Sequence, residues 1–259
     1  MTPAYGALRR VHPVVSVLLE NNPGPMTLEG TNTWILRAPG ERDCVVVDPG
    51  DEGDEDHLER IVGHGPVARI LITHRHLDHC GSARELAALT GAPVHALDPA
   101  VGSETLRDGE VVAAAGLEFH VVATPGHSTD STSFLVRGGD GPPPLLAGDM
   151  ILGHGTTVIA HPDGALEPYL SSLDWYADLP PGTLCLTGHG PELPDAAAIA
   201  KHYRTHRHQR LEQVREALRT LPEDATPRQI VETVYADVDR RLWDAAELSV
   251  RAQLDYLRR

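Results

Sequence analysis

The chain has 259 residues, 37 acidic and 22 basic, for a net charge of −15 with histidine neutral. That length allows one large α/β domain, or one domain with a smaller appendage and a full core. The bulk negative charge opposes non-specific binding of long polyanions, and no run approaches the roughly 18 apolar residues of a membrane span.

No long apolar stretch follows residues 1–10, so a soluble cytoplasmic protein without a membrane partner is expected. Three cysteines, Cys44, Cys80 and Cys185, are too few and too scattered for a disulfide framework, which fits a reducing compartment. Cys80 stands beside a histidine-rich motif, but it reads as a small buried residue at a helix start.

In chain order, residues 14–19 read as an entry strand, and Asn22-Pro23-Gly24-Pro25 is a turn cluster. A small polar loop over 27–33, with Thr31 and Asn32 as candidates for touching substrate or supporting the site, feeds a strand ending at 36. Cys44-Val45-Val46-Val47 is a buried strand that ends in Asp48-Pro49-Gly50. Residues 55–62 carry a helical pattern. The apolar run 68–72 is a short strand leading into Thr73-His74-Arg75-His76-Leu77-Asp78-His79, after which Ser82 caps a helix over 84–89.

Further β runs fall at 94–96, 119–122, 133–136, 145–147 and 184–186, with a helix over 167–175. Strands mixed with helices over this length predict a layered α/β domain for residues 1–193. From 194 the β runs stop. Residues 195–220 form one long helix or a kinked pair, and Thr226-Pro227-Arg228-Gln229 is a capping box opening a helix to about 235. Residues 241–257 carry another. The helical unit, residues 194–259, is nearly balanced: residues 201–259 hold twelve basic and ten acidic side chains, so the acidic excess lies in front.

The histidine-rich motif puts four potential metal ligands into six residues. His74 and His76 are two apart and share a direction on extended backbone. Asp78 and His79 follow on a bending chain and aim at a neighbouring point, so one segment can serve two adjacent metals. Three later segments each end a β run with a potential ligand among small residues: Pro125-Gly126-His127-Ser128, Ala147-Gly148-Asp149 and Thr187-Gly188-His189-Gly190. Glycine suits such positions, because several chain ends crowding one centre leave little room for a Cβ.

With these residues in place the chain resembles the metallo-β-lactamase superfamily, whose order of HxHxDH, histidine, aspartate and histidine it matches at all seven positions. The resemblance implies a four-layer αββα sandwich. It assigns His74, His76 and His127 to a first metal, Asp78, His79 and His189 to a second, and Asp149 to a bridge between them. The segments 22–33 and 148–157 look most like the lactamase-β-like branch, which contains mitochondrial single-strand endoribonucleases and fungal thioesterases that release polyketides from carrier proteins. In that branch the helical tail is similar to a winged helix, here with no room for the wing.

Imidazole and carboxylate ligands suit zinc, with manganese or iron as alternatives. Two zincs about 3.5–4 Å apart would share a water and lower its pKa from 15.7 towards roughly 7, so no serine or cysteine nucleophile is needed. Asp78 would anchor the second metal and orient the nucleophile. Asp48 either fixes a ligand imidazole through its other nitrogen or is a plain turn aspartate. Ser128 and Thr129 either touch substrate or cap the next turn, and His154 is either a proton donor in the cleft or an exposed loop histidine. Lys201, Arg204, Arg207, His208 and Arg210 recur at three- and four-residue steps as a basic face that is solvated or binds a phosphate or carboxylate.

The expectation is a binuclear metal-dependent hydrolase acting on an ester, a thioester or a phosphodiester. Its substrate is either a small acyl compound or a short single-stranded RNA, with an iron-dependent redox enzyme as the competing class. A homodimer is compatible with the chain.

Overall fold

Apolar side chains alternate along the central strands, and each sheet therefore has two faces to bury. The computed structural model describes residues 4–139 and 141–258. Its first sheet orders β1 (Arg9–His12), β2 (Val15–Leu19), β3 (Asn32–Leu36), β4 (Cys44–Val47), β5 (Val67–Leu71), β6 (Val94–Ala96) and β7 (Glu104–Thr105) side by side. Pairing is antiparallel from β1 to β4 and parallel from β4 to β7. The second sheet runs β12 (Cys185–Thr187), β11 (Leu145–Gly148), β10 (Thr132–Arg137), β9 (Leu117–Ala123) and β8 (Val111–Ala114). Only its β11–β12 pair is parallel.

Trp34, Leu36, Val45, Val47 and Leu71 meet Phe119, Phe134, Val136, Leu146 and Leu186 between the sheets. The intervening residues point the other way. Ile35, Val46 and Ile70 pack with α1 (Glu55–Gly63) and α3 (Ala83–Thr90), and Leu145, Ala147 and Cys185 pack with α4 (Leu166–Ala177) and α5 (Ala196–Thr220). The result is a four-layer αββα sandwich.

Helix α5 is one unbroken helix of 25 residues and belongs to two cores. Ala196, Ala200 and Tyr203 cover the second sheet. Val214 and Ala217 pack with α6 (Pro227–Val234) and α7 (Trp243–Leu257) around Ile230, Val231 and Val250. Thr226 and Gln229 form the capping box of α6, with Pro227 in the first turn. No strand follows α6 among the described residues. Among the described residues no helix is long and apolar enough to cross a membrane.

Residues after β4, β5, β9, β11 and β12 leave the carboxyl ends of their strands at one edge of the sandwich. Two bonds stitch the sheets there: Thr132 N donates to the Thr73 carbonyl and Asn32 N to the Gly188 carbonyl, each at 2.8 Å. Where the sequence predicts a cap at Ser82, the residue does occupy that position before α3, but its hydroxyl donates to the Asp51 carbonyl instead.

Candidate metal centre

Six of the seven predicted ligands fall into overlapping groups whose donor atoms converge: His74, His76 and His127 in one, Asp78, His79 and His189 in another. The seventh, Asp149, groups with His74 and His79. In the first group His76 Nδ1 faces His74 Nε2 at 3.0 Å and His127 Nε2 at 2.9 Å. In the second, His79 Nε2 and His189 Nε2 are 3.2 Å apart, and Asp78 Oδ2 is 3.1 Å from His189 Nε2. The fold thus brings together donors contributed by a short helical turn, α2 (Leu77–Cys80), and four strand ends.

Asp149 lies between the groups. Its Oδ2 is 3.8 Å from His127 Nε2 and 3.5 Å from His189 Nε2, while Oδ1 is 3.5 Å from His79 Nε2. That buried Oδ1 has no hydrogen-bond partner.

The outer imidazole nitrogens decide which protons face inward. His127 Nδ1 donates to the Val158 carbonyl at 2.7 Å and His189 Nδ1 to the Gly30 carbonyl at 3.1 Å. His79 Nδ1 lies 2.9 Å from Asp48 Oδ2. Thr73 Oγ1 donates to Asp48 Oδ2 at 2.7 Å and so accepts from His74 Nδ1 at 3.0 Å. With the outer nitrogens so bonded, all four imidazoles turn Nε2 inward, and in their neutral forms these would be lone pairs aimed at the same small volume. Lone pairs that close repel unless a cation lies among them, so the donor set fits divalent metal ions.

Electrostatics point the same way. Burial lowers His74, and its histidine neighbours lower it further; burial likewise takes His127 to about 4. Burial also works against charge on His189, but Asp149 and Asp78 outweigh it and raise the imidazole to about 9. Burial opposes charge on His79 too, and Asp78, Asp149 and Asp48 override it. The carboxylates therefore demand positive charge at this end, which ligand protons or metal ions can supply.

Glycine makes the crowding possible. A Cβ on Gly188 would press on Asp149 Oδ1 and come within 2.7 Å of His79 Cε1. Asp48 itself adopts a left-handed backbone at φ +55°, a conformation tolerated best by glycine, asparagine and aspartate. It is 1% exposed and, through His79 and Thr73, holds one imidazole in each group.

Other candidates land differently. Asn32 Nδ2 donates to the carbonyls of Thr187 at 3.0 Å and Gly190 at 2.7 Å, clamping the loop that carries His189. Thr31 pairs by a bridge with His189 and is fully buried, so both residues support the loop that carries His189. The Ser128 hydroxyl is turned into its own loop, onto Asp130 and Ser131, as the capping alternative has it. Thr129 bonds Asp163, which also pairs with Arg75. His154 is exposed, 3.0 Å from Glu29 Oε1 at the rim of the cleft. The Cys80 thiol, raised to about 11 by burial, donates to the Arg75 carbonyl and stays outside the cluster.

The basic face on α5 is not one face. Arg204 pairs with Asp174 on an outer surface shared with His208, and Lys201 is exposed, so neither Lys201 nor Arg204 reaches the cleft. Arg207 and Arg210 do, together with His206, which the spacing had not singled out.

These three line a cavity of about 370 Å³ that also contains His127 and Asp149. Its walls are largely apolar, from Met26 and Leu28 on one side, Leu152 and Val158 on another, and Val238, Leu242 and Ala246 of the appendage. The appendage therefore helps enclose the space in front of the ligands.

Residues 26–105 match the metallo-beta-lactamase superfamily, and residues 226–259 match the beta-lactamase associated winged helix domain. A beta-lactamase-like protein 2 homolog of Caenorhabditis elegans is 30% identical over 89% of this chain and 79% of its own length. An atrochrysone carboxyl ACP thioesterase of Aspergillus fumigatus is 34% identical over 62% of this chain and 51% of its own. A crystal structure of a beta-lactamase domain protein from Burkholderia ambifaria superposes with a TM-score of 0.81 at 26% identity, covering 99% of this chain and 89% of that one. With converging His and Asp ligands at the sheet edge of an αββα sandwich, the chain belongs to the lactamase-like branch of the metallo-β-lactamase superfamily and is a metal-dependent hydrolase.

Proposed function

We propose that the protein hydrolyses an ester or thioester of a small acyl compound with the help of two divalent cations, zinc before manganese or iron. The observation that carries this reading is the cavity of about 370 Å³ in front of His127 and Asp149, whose size and apolar walls suit a small organic ligand. Binding of single-stranded RNA would ask for a basic groove and stacking aromatic rings. Here Tyr235 is the aromatic residue of the lining, and the chain carries a net −15. The thioesterase among the similar proteins supports the same substrate class.

His74, His76 and His127 would hold one cation and Asp78, His79 and His189 the other, with Asp149 between them. Two such ions supply a water-derived nucleophile at neutral pH and a Lewis acid for the substrate oxygen. Burial disfavours charge on Asp78, but His79 and His189 hold its carboxyl at about 2, so it stays ionised and accepts a hydrogen bond from the attacking water. Asp48 and Thr73 keep His79 and His74 in the orientation that presents Nε2. Met26, Leu28 and the appendage exclude bulk water from the acyl group.

Elemental analysis of purified protein, followed by parallel assays on acyl thioesters, lactones and single-stranded RNA, tests this reading. Two zinc ions per chain and chelator-sensitive thioester turnover are expected. RNA cleavage with a steep salt dependence and no thioester turnover would replace it with the endoribonuclease reading. One or more bound iron ions without hydrolysis would point to redox chemistry.

A further inference from the structure

Arg207 is 3% exposed, yet no carboxylate is among its partners in the described residues. Its guanidinium donates to the Thr157 carbonyl and stacks over the Tyr169 ring at 5.0 Å, while Nε has no acceptor. A buried, permanently charged group without a counter-ion is costly unless something else supplies the negative charge. Arg207 lines the cavity that holds His127 and Asp149.

Its neighbours add positive charge. Arg210, also on the wall, bonds the Val234 carbonyl at 2.8 Å and has the largely exposed Asp237 at 3.7 Å as its acidic partner. His206 directly precedes Arg207 on α5, one turn before Arg210, and its buried Nδ1 has no partner among the described residues. Burial and the two arginines lower His206 to about 4, so it remains neutral where a third cation would be repelled. The cavity thus has a carboxylate-and-imidazole end built for cations, apolar walls, and an arginine wall in which Arg207 lacks an anion.

We infer that the substrate carries an anionic group, a carboxylate on its acyl part, which is received by Arg207 with help from Arg210 while the ester or thioester carbonyl lies at the metal ligands. The inference rests on the hydrolase reading above and deepens it to a substrate class: acidic acyl esters or thioesters. Arginine is suited to the task because its planar fork binds a carboxylate through two parallel hydrogen bonds. Arg207 is a specificity residue in this scheme, and it also ties the Thr157–Val158 segment of the wall, which orients His127, to α5.

The test uses the zinc-loaded chain of 259 residues and two N-acetylcysteamine thioesters of equal chain length, one of hexanoic acid and one of adipic acid with its far carboxylate free. Wild type should prefer the acidic thioester in kcat/KM by about tenfold or more. R207M should abolish that preference, chiefly through KM, and R207K should retain part of it. Equal losses on both substrates, with the preference intact, would mean that Arg207 only supports the His127 loop and would overturn the inference. So would a wild-type preference for the neutral thioester, which needs no variant to fold. Calorimetry with the uncleavable N-butyl monoamide of adipic acid against N-butylhexanamide separates the two readings. Tighter wild-type binding of the acidic amide without turnover of either thioester keeps the anion site and removes the thioesterase, whereas turnover without such discrimination does the reverse.

Discussion

Asp48 Oδ2 lies 2.9 Å from His79 Nδ1, deep beneath the metal ligands, and the other oxygen accepts the backbone N–H of Thr73 at 2.8 Å. One buried carboxylate therefore orients the imidazole of the second ligand group and the residue that begins the ligand motif.

Replacing Asp48 by alanine should lower zinc affinity about 10–100-fold, the usual consequence of losing a partner behind a ligand histidine. Alanine also tolerates φ +55° less well than aspartate, so Asp48→Asn should be the milder change in stability. A competition titration against a chromogenic chelator measures the affinity, and an unchanged value in both variants would remove Asp48 from the site.

Asp149→Ala should reduce hydrolysis to background and lower the bound metal, while the metal-free protein keeps its fold. Among the described residues Asp149 Oδ1 has no hydrogen-bond partner, which leaves part of this carboxylate free to take a cation. Elemental analysis and circular dichroism check the two halves. A full metal complement with retained turnover would defeat the two-cation reading.

Gly188→Ala should damage the centre more than its size suggests. The added methyl would meet Asp149 and His79 together, and overpacking of that kind costs about 1–3 kcal/mol. Metal content and thermal unfolding of the metal-free protein report the two effects. A variant with normal metal binding would show that the loop relaxes around the methyl.

His57 offers a stability test away from the ligands. Burial lowers it to about 4, with Asp54 opposing and Arg60 assisting, and its Nε2 lies 2.8 Å from Thr33 Oγ1. Thr33 donates to the Asp48 carbonyl at 2.7 Å, so it accepts from a neutral His57. Between about pH 4 and the unfolded value of about 6.5 the unfolded chain binds the extra proton. Stability from this group is therefore complete above about 6.5 and is lost as pH falls through about 4, by at most about 3 kcal/mol. Urea unfolding from pH 7 to 4 should show a shallower loss in His57→Gln than in wild type, and parallel slopes would refute it.

Much of this centre is legible in one dimension, because metal ligation is written in short spacings. His74, His76, Asp78 and His79 identify themselves, and Gly126, Gly148 and Gly188 mark the strand ends where crowding forbids a Cβ. The strand runs at 44–47 and 145–147 are legible for a similar reason, being short apolar segments closed by turn residues. Ser128 stays open along the chain because a hydroxyl beside a ligand satisfies its own loop as readily as it meets substrate.

The basic series on α5 shows where reading along the chain fails. At 3.6 residues per turn, each three-residue step slips back by about 60°, so the series Lys201, Arg204, Arg207, Arg210 walks halfway round the helix. Packing then divides it, with Arg204 on the outer surface and Arg207 buried at the cavity.

By itself, then, the sequence determined the candidate ligands, their order and the layered α/β class, since local spacing and alternation encode them directly. Only the tertiary structure decided that Asp48 serves both ligand groups, that Thr31 and Asn32 hold the His189 loop, and that the appendage and Arg207 close a cavity over the metal ligands. Those relationships join segments separated by tens to well over a hundred residues, and packing, which no local pattern records, brings them into contact.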